Sequence, residues 1–253
     1  DWIVAPTPFQ GSVLPRAVQS RVRVIHEGID INAARKIPDA SAKLERGTEL
    51  RAGAPIITFI NRRFEPLRGF HTFMRALPGF LGAVPEARVL IVGEDDPRVY
   101  GARAPNNKSW KQFMLDELKG KLDLGRVHFL GTLSYTNLIG VLSLSAAHVY
   151  YTYPFVLSWS LLDAMACECL LVASDTAPVR DVIRAGENGL LLDFFDHEQL
   201  SRTLISRSML PCWNVRTRPR RLISCAGRPV MSAPSKTIRP AVGFRNPLTT
   251  LNV

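Results

Sequence analysis

The strongest constraint on this chain is a series of short apolar runs, each followed by a stretch of helical period. The runs fall at 23–25, 56–60, 89–92, 127–130, 149–153, 170–173 and 190–192, and Val, Ile and Leu dominate them. Between them the period changes. In 69–81, Phe70, Phe73, Met74 and Leu77 stand at i, i+3, i+4 and i+7, one face of a helix. Further helical patterns occupy 108–119, 135–143, 161–165 and 177–185. Strands alternating with helices of this length predict βα units, hence an α/β fold with a parallel sheet and helices on both faces. Right-handed crossovers leave the ligand-binding loops at the C-terminal ends of the strands. The loops of interest therefore follow Ile60, Val92, Leu130 and Tyr153.

From 127 to 162 there is no Asp, Glu, Lys or Arg. A run of that length invites a membrane reading. His128, Gly131, Asn137, His148 and Pro154 interrupt it, and it divides into pieces sized for strand, helix and strand. A sheet covered on both faces needs such uninterrupted apolar strands. Cys167 and Cys169 lie in an apolar run without zinc-type spacing, so they read as buried thiols of a reducing compartment. The first residues carry no basic-then-apolar leader pattern. The expectation is a cytoplasmic protein.

Charge divides the chain. The formal net charge is +10, from 32 basic and 22 acidic residues. Residues 201–253 hold ten of the basic residues, none of the acidic ones, and six prolines, so residues 1–200 are neutral as a whole. No apolar period persists in 201–253, and without one a segment cannot turn an apolar face to a core. It is expected to be an irregular basic tail, either an unselected C-terminus or a tether to an anionic surface such as the inner face of a membrane. Trp213 and Phe244 are its only aromatics, too few for a nucleic-acid stacking platform, so no specific nucleic acid is expected. Residues 31–54 read as a linker or long loop. Asp1–Val4 reads as the end of a strand, and the chain is expected to begin inside another domain. The domains expected are 1–22, a remnant of a preceding domain; 23–200, the α/β domain; and 201–253, the tail.

Two loops carry candidate chemistry. After Ile60 the sequence runs Asn61-Arg62-Arg63-Phe64-Glu65-Pro66-Leu67-Arg68-Gly69-Phe70. Arg62, Arg63 and Arg68 could converge on a phosphate, because a guanidinium fork matches phosphate oxygens. A solvated basic loop with Glu65 pairing an arginine fits the same residues. After Tyr153, Pro154 breaks the strand and a helix opens near Ser158–Ser160, either serine serving as N-cap. Free N–H groups around Leu157–Ser160 would suit an anion. Asp163, within about the first turn, could accept ribose hydroxyls or simply complement the helix dipole.

The order of these motifs resembles the C-terminal, donor-binding half of a retaining family 4 glycosyltransferase of the GT-B fold, a Rossmann-like domain. The resemblance runs from about Ile3 to Leu200. It rests on Ala5-Pro-Thr with Gln10 and Pro15; Val24-Ile-His-Glu-Gly28-Ile-Asp30; Arg62…Glu65…Arg68-Gly69; Val89-Leu-Ile-Val-Gly93; and Tyr153–Met165 followed by Ser174-Asp175…Pro178-Val-Arg-Asp-Val-Ile183 and Gly186-Glu-Asn-Gly189. It implies transfer of a sugar from a nucleotide-sugar donor with retention at the anomeric carbon, without a metal or other cofactor. Arg62 (or Arg63) and Arg68 occupy the places that hold the donor diphosphate and stabilise the leaving group. Gly69, Val156, Leu157 and Ser158 flank that place, and Asp163 occupies the ribose-binding position. Leu133, in Gly131-Thr132-Leu133, lies in the loop that touches the base. Phe155 stands where the family carries its first Glu, and Glu168 where a Gly usually follows Ala-Cys. The resemblance leaves the acceptor open among glycans, lipids and small molecules. It implies low activity for a chain lacking the N-terminal acceptor domain, which a partner chain could supply.

Overall fold

The computed structural model describes residues 1–44, 47–208 and 249–250. In chain order the elements are β1 (Ile3–Ala5), α1 (Pro8–Ser12), α2 (Arg16–Gln19), β2 (Val22–Val24), β3 (Ser41–Lys43), β4 (Glu49–Arg51), β5 (Ile56–Arg63), α3 (Phe70–Ala83), β6 (Arg88–Glu94), α4 (Trp110–Glu117), β7 (Val127–Phe129), α5 (Tyr135–Leu144), β8 (Ala147–Tyr150), α6 (Trp159–Ala166), β9 (Leu170–Ser174), α7 (Ala177–Arg180), β10 (Leu190–Leu192), α8 (His197–Ser208) and β11 (Thr249–Thr250).

Six strands form one parallel sheet in the order β10-β9-β8-β5-β6-β7. Strand β5 shows why it is central. Ile56 to Ile60 are all buried, and alternate residues serve opposite faces. Ile56 and Ile60 pack under α5 and α6 with Ile139, Val141, Leu161 and Ala164. Ile57 and Phe59 pack under α3, α4 and α8 with Phe73, Leu77, Met114 and Leu204. Helices thus cover both faces. The uncharged run 127–162 resolves into β7, α5, β8 and the start of α6. Among the described residues no helix is long and apolar enough to cross a membrane.

Three expectations change. Residues 31–54 are not simply a linker, because β3 and β4 pair antiparallel within a separate small sheet that β11 joins. Each of these strands buries a single side chain, Ala42 or Leu50, too little to give a period in sequence. Strand β2, expected to open the α/β domain, pairs instead with β1 in a two-stranded parallel sheet outside the main one. The irregular tail does not begin at 201, since α8 continues to Ser208. Its Leu200 and Leu204 are fully buried against α3. The two helices approach so closely that a Cβ on Gly79 would lie 2.7 Å from Ser201 Oγ. The rest of the expected tail, apart from β11, lies outside the described residues.

Candidate functional site

The strand order reverses beside β5. The chain passes from β5 outward to β6 and β7, then returns to β8 on the other side of β5. The loop after β5 therefore leads to one face of the sheet and the loop after β8 to the other, and they part above a crevice. Ligands of open α/β sheets bind at such a switch point.

Arg68 fills this crevice. Its Nη1 donates to Thr152 Oγ1 at 2.9 Å and to the Val156 carbonyl at 2.8 Å, both in the loop after β8. Its Nε lies 4.0 Å from Glu65 Oε1, and its Cζ stands 5.1 Å from the centre of the Phe155 ring. Burial raises the pKa of the Tyr150 hydroxyl, and the nearby Arg68 charge opposes that rise. Two features of the backbone hold the loops together. Tyr153 N donates to the Leu67 carbonyl at 2.8 Å. Gly69, between the single helical turn Pro66–Arg68 and α3, has φ +69° and sits directly against Tyr151. A Cβ at Gly69 would come within 2.4 Å of Tyr151 Cβ, so only glycine permits this approach.

The opposite wall is α6. Ser158 is its N-cap residue, but its side chain caps no backbone N–H of the helix; its hydroxyl pairs with that of Ser160. Its N–H donates to Tyr150 Oη at 2.9 Å and is therefore engaged. The N–H groups of Trp159 and Ser160 have no partner among the described residues. Leu157 is buried and Val156 is half-buried, its carbonyl held by Arg68. Asp163 lies in the second turn rather than the first, because α6 opens at Trp159. Its carboxylate is buried and accepts from Tyr135 Oη at 2.9 Å. Burial raises the Asp163 pKa, and the Tyr135 bond partly offsets the rise; burial and Asp163 together push Tyr135 up to about 12.

The three arginines do not converge. Arg62 is exposed and bonds no described residue. Arg63 turns toward β6, with Nε 3.3 Å from Asp96 and 3.6 Å from Glu94, and Nη1 donating to the Arg98 carbonyl at 3.0 Å. A register shift between Ile60 and Arg63 re-aims the strand end, so that Arg63 pairs with Glu94. Arg63 therefore borders a different space, an open cavity of about 860 Å³ above β6 and β7, lined by Gly93, Glu94, Asp95, Asp96, Gly131 and Thr132 among others. Leu133 is half-buried at its edge, packed on the core, and the Gly131 carbonyl is taken by Gly93 N at 2.9 Å. Glu65 does pair an arginine, as the bland reading of the loop expected, yet it also accepts from Tyr100 N at 2.8 Å. Sequence reasoning missed Thr152, Tyr150, Tyr135 and Tyr100. Nothing in the spacing links Tyr135 to Asp163, which only the packing of α5 on α6 brings together. Among the described residues no three His, Cys, Asp or Glu side chains group as a metal site.

The family model described as "Glycosyl transferases group 1" matches residues 41–218. The chain belongs to this family. A second model, "Glycosyl transferase family 4 group", matches residues 1–34. Among curated proteins, this group 1 glycosyltransferase chain is 28% identical over 199 residues to the D-inositol 3-phosphate glycosyltransferase of Rhodococcus jostii (strain RHA1), covering 76% of the chain and 41% of that protein. It is 27% identical over 194 residues to the enzyme of the same name from Mycobacterium sp. (strain JLS), covering 76% and 40%. The chain thus spans about 40% of the length of these curated relatives. Among solved structures, sucrose-phosphate synthase from Thermosynechococcus elongatus superposes with a TM-score of 0.67 at 23% identity, over 86% of this chain and 51% of that one. HepE from Anabaena, in complex with UDP and glucose, superposes with a TM-score of 0.62 at 16% identity, over 85% and 55%. The C-terminal domain of LpcC, a group 1 family protein of Francisella tularensis, superposes with a TM-score of 0.58 at 15% identity, over 75% of this chain and 92% of that one. These likenesses show the fold.

Proposed function

We propose that the β5/β8 crevice binds the diphosphate of a nucleotide sugar and that this chain is the donor-binding part of a retaining, family 4 glycosyltransferase. The observation that carries the reading is Arg68. Thr152, the Val156 carbonyl and the Tyr150 hydroxyl hold its guanidinium on the loop after β8, and Glu65 faces it from the other side. A fork held this way is pre-organised for phosphate oxygens. The free N–H groups of Trp159 and Ser160 face developing negative charge with the favourable end of the α6 dipole. Arg68 and α6 would together stabilise the departing nucleoside diphosphate without a metal. Arg62, exposed beside the crevice, is the second cation; Arg63 serves the acidic cavity instead.

Asp163 would accept ribose hydroxyls, with Tyr135 orienting its carboxylate. The cavity beside Gly131 and Leu133, where Arg98 and Lys111 stand against three carboxylates, is the place proposed for the nucleobase. The acceptor is a glycan, lipid or small molecule.

Titration calorimetry with UDP, GDP and ADP tests the reading. At least one should bind the folded chain, and Arg68→Ala should weaken it by roughly 30-fold or more, as expected for a charge-assisted hydrogen bond. Arg63→Ala should change it by no more than about twofold, because Arg63 sits outside the crevice and its loss removes only a screened charge. Absence of binding to all three would sink the proposal.

A further inference from the structure

On one side of Arg68 lie polar groups made for hydroxyls; on the other lies bare aromatic carbon. Phe155 is 39% exposed and Tyr100 57%, although both sit at the mouth of the crevice. Their rings are 5.9 Å apart at an interplanar angle of 46°. The pair is held from three loops. Phe155 follows β8, the Arg68 guanidinium packs against its ring, and Tyr100, after β6, is anchored by its backbone N–H on the buried carboxylate of Glu65 at 2.8 Å. Next to Tyr100, Gly101 fits against Leu67, where a Cβ would lie 3.0 Å from Leu67 Cγ. Two aromatic rings side by side at the mouth of a site, one of them against Arg68, offer an apolar surface to a ligand.

Resting on the donor-site reading above, we infer that Phe155, backed by Tyr100, seats the transferred sugar as a neutral hexopyranose whose C–H face stacks on the aromatic ring. Three observations fix the assignment. The Phe155 ring centre is 5.1 Å from Arg68 Cζ, so a sugar bonded to a phosphate on Arg68 falls within one ring's width of it. Of the two substituents of the diphosphate, the ribose side already has Asp163 and Tyr135, on the opposite face of the sheet. The buried carboxylate of Glu65, beside Arg68, is occupied by Tyr100 N and Arg68, leaving it little capacity for sugar hydroxyls. Recognition on this side is then by shape and apolar contact, which selects a pyranose presenting several C–H bonds on one face and disfavours a charged sugar.

The test compares each nucleoside diphosphate with its sugar conjugate on the full chain by calorimetry: UDP with UDP-glucose, GDP with GDP-mannose, ADP with ADP-glucose. For the pair that binds, the conjugate should bind more tightly. Phe155→Ala should weaken the conjugate by roughly tenfold while leaving the free diphosphate within about twofold, the scale expected of one aromatic contact. Phe155→Leu keeps the apolar volume without the ring and should lose nearly as much. Circular dichroism checks the fold, which an exposed side chain does not control. If Phe155→Ala weakens diphosphate and conjugate equally, the ring acts through Arg68 or the nucleotide rather than on the sugar, and if it weakens neither it touches no ligand; both results overturn the inference and leave the donor site standing. If no nucleotide binds, or Arg68→Ala has no effect on the free diphosphate, the donor-site reading falls and this inference falls with it.

Discussion

The β5/β8 crevice and the β6/β7 cavity open on the same edge of the same sheet, yet their chemistry differs. The crevice presents Arg68, held by Thr152 and the Val156 carbonyl and facing the one carboxylate of Glu65. The cavity presents Glu94, Asp95 and Asp96 together with Arg98 and Lys111, and it consumes Arg63 in ion pairs. Arg63 and Arg68 lie five positions apart in one basic loop. The difference shows that basic character in a sequence is not a binding site until the neighbours of each cation are known. Here a register shift in β5 decides which arginine is spent on structure and which is left for a ligand.

The two regions should respond differently to backbone change. Gly69→Ala forces a Cβ to within 2.4 Å of Tyr151 Cβ at φ +69° and should cost about 3 kcal/mol or more in chemical denaturation. Gly131→Ala, at the cavity, has φ +64° but open space around it, so about 1 kcal/mol is expected. Equal losses would show that the close approach of the two crevice loops is unimportant. In ligand binding, Arg68→Lys keeps the charge but loses the planar fork that spans Thr152, Val156 and the open face. Diphosphate affinity should fall by roughly tenfold, with little change for Arg63→Lys.

Acid should separate the regions too. His148 lies on β8 beneath the crevice, fully buried, with Nδ1 2.9 Å from Thr58 Oγ1; burial lowers its pKa to about 3. The unfolded chain therefore takes up that proton from about pH 6.5 downward while the native chain does not. The stability His148 leaves intact above pH 6.5 is lost as pH falls, by about 1.4 kcal/mol per unit. Asp96 at the cavity is held down to about 2, first by its bond from Arg98, so its contribution persists until much lower pH. Between pH 6 and 4.5 the His148→Val chain should show a shallower slope of stability against pH than the wild type, by about that amount. An unchanged slope would contradict the buried neutral imidazole.

The smallest effect expected lies at the far end of α6. Cys169 N bonds the Ala164 carbonyl and Glu168 N the Met165 carbonyl, a helix stop that places Glu168 at φ +58°. Glu168 is exposed, so Glu168→Gly relieves the left-handed strain at the cost of a freer unfolded chain. A net gain of about 0.5 kcal/mol in thermal or chemical unfolding is expected.

The strands and helices of the main sheet were legible because they are long or buried enough to impose a period. All five of the expected helices form, although α7 stops at Arg180. The elements that escaped are those whose pattern is too short or too polar to register. β3 and β4 bury one residue each, and α8 has only Leu200, Ser201 and Leu204 buried among charged and polar neighbours. At the site, Arg68, Gly69 and Asp163 could be named from their places next to strand ends and a helix start. Their partners Thr152, Tyr150, Tyr135 and Tyr100 could not, because they are spread over three βα units and carry no mark of their own.

What the sequence determined alone is the order and type of the elements, and with them a parallel sheet whose functional loops lie at one edge. Hydrophobic period is a local property, and each βα unit records it independently. What only the tertiary structure decided is which of those loops meet. The reversal of strand order beside β5 brings residues some 85 positions apart within hydrogen-bonding distance, Arg68 to Thr152 and Val156. The same packing commits Arg63 to Asp96 and buries Asp163 under Tyr135. Side-chain reach is a few ångströms, so roles assigned by such contacts depend on three-dimensional placement rather than on the residues alone.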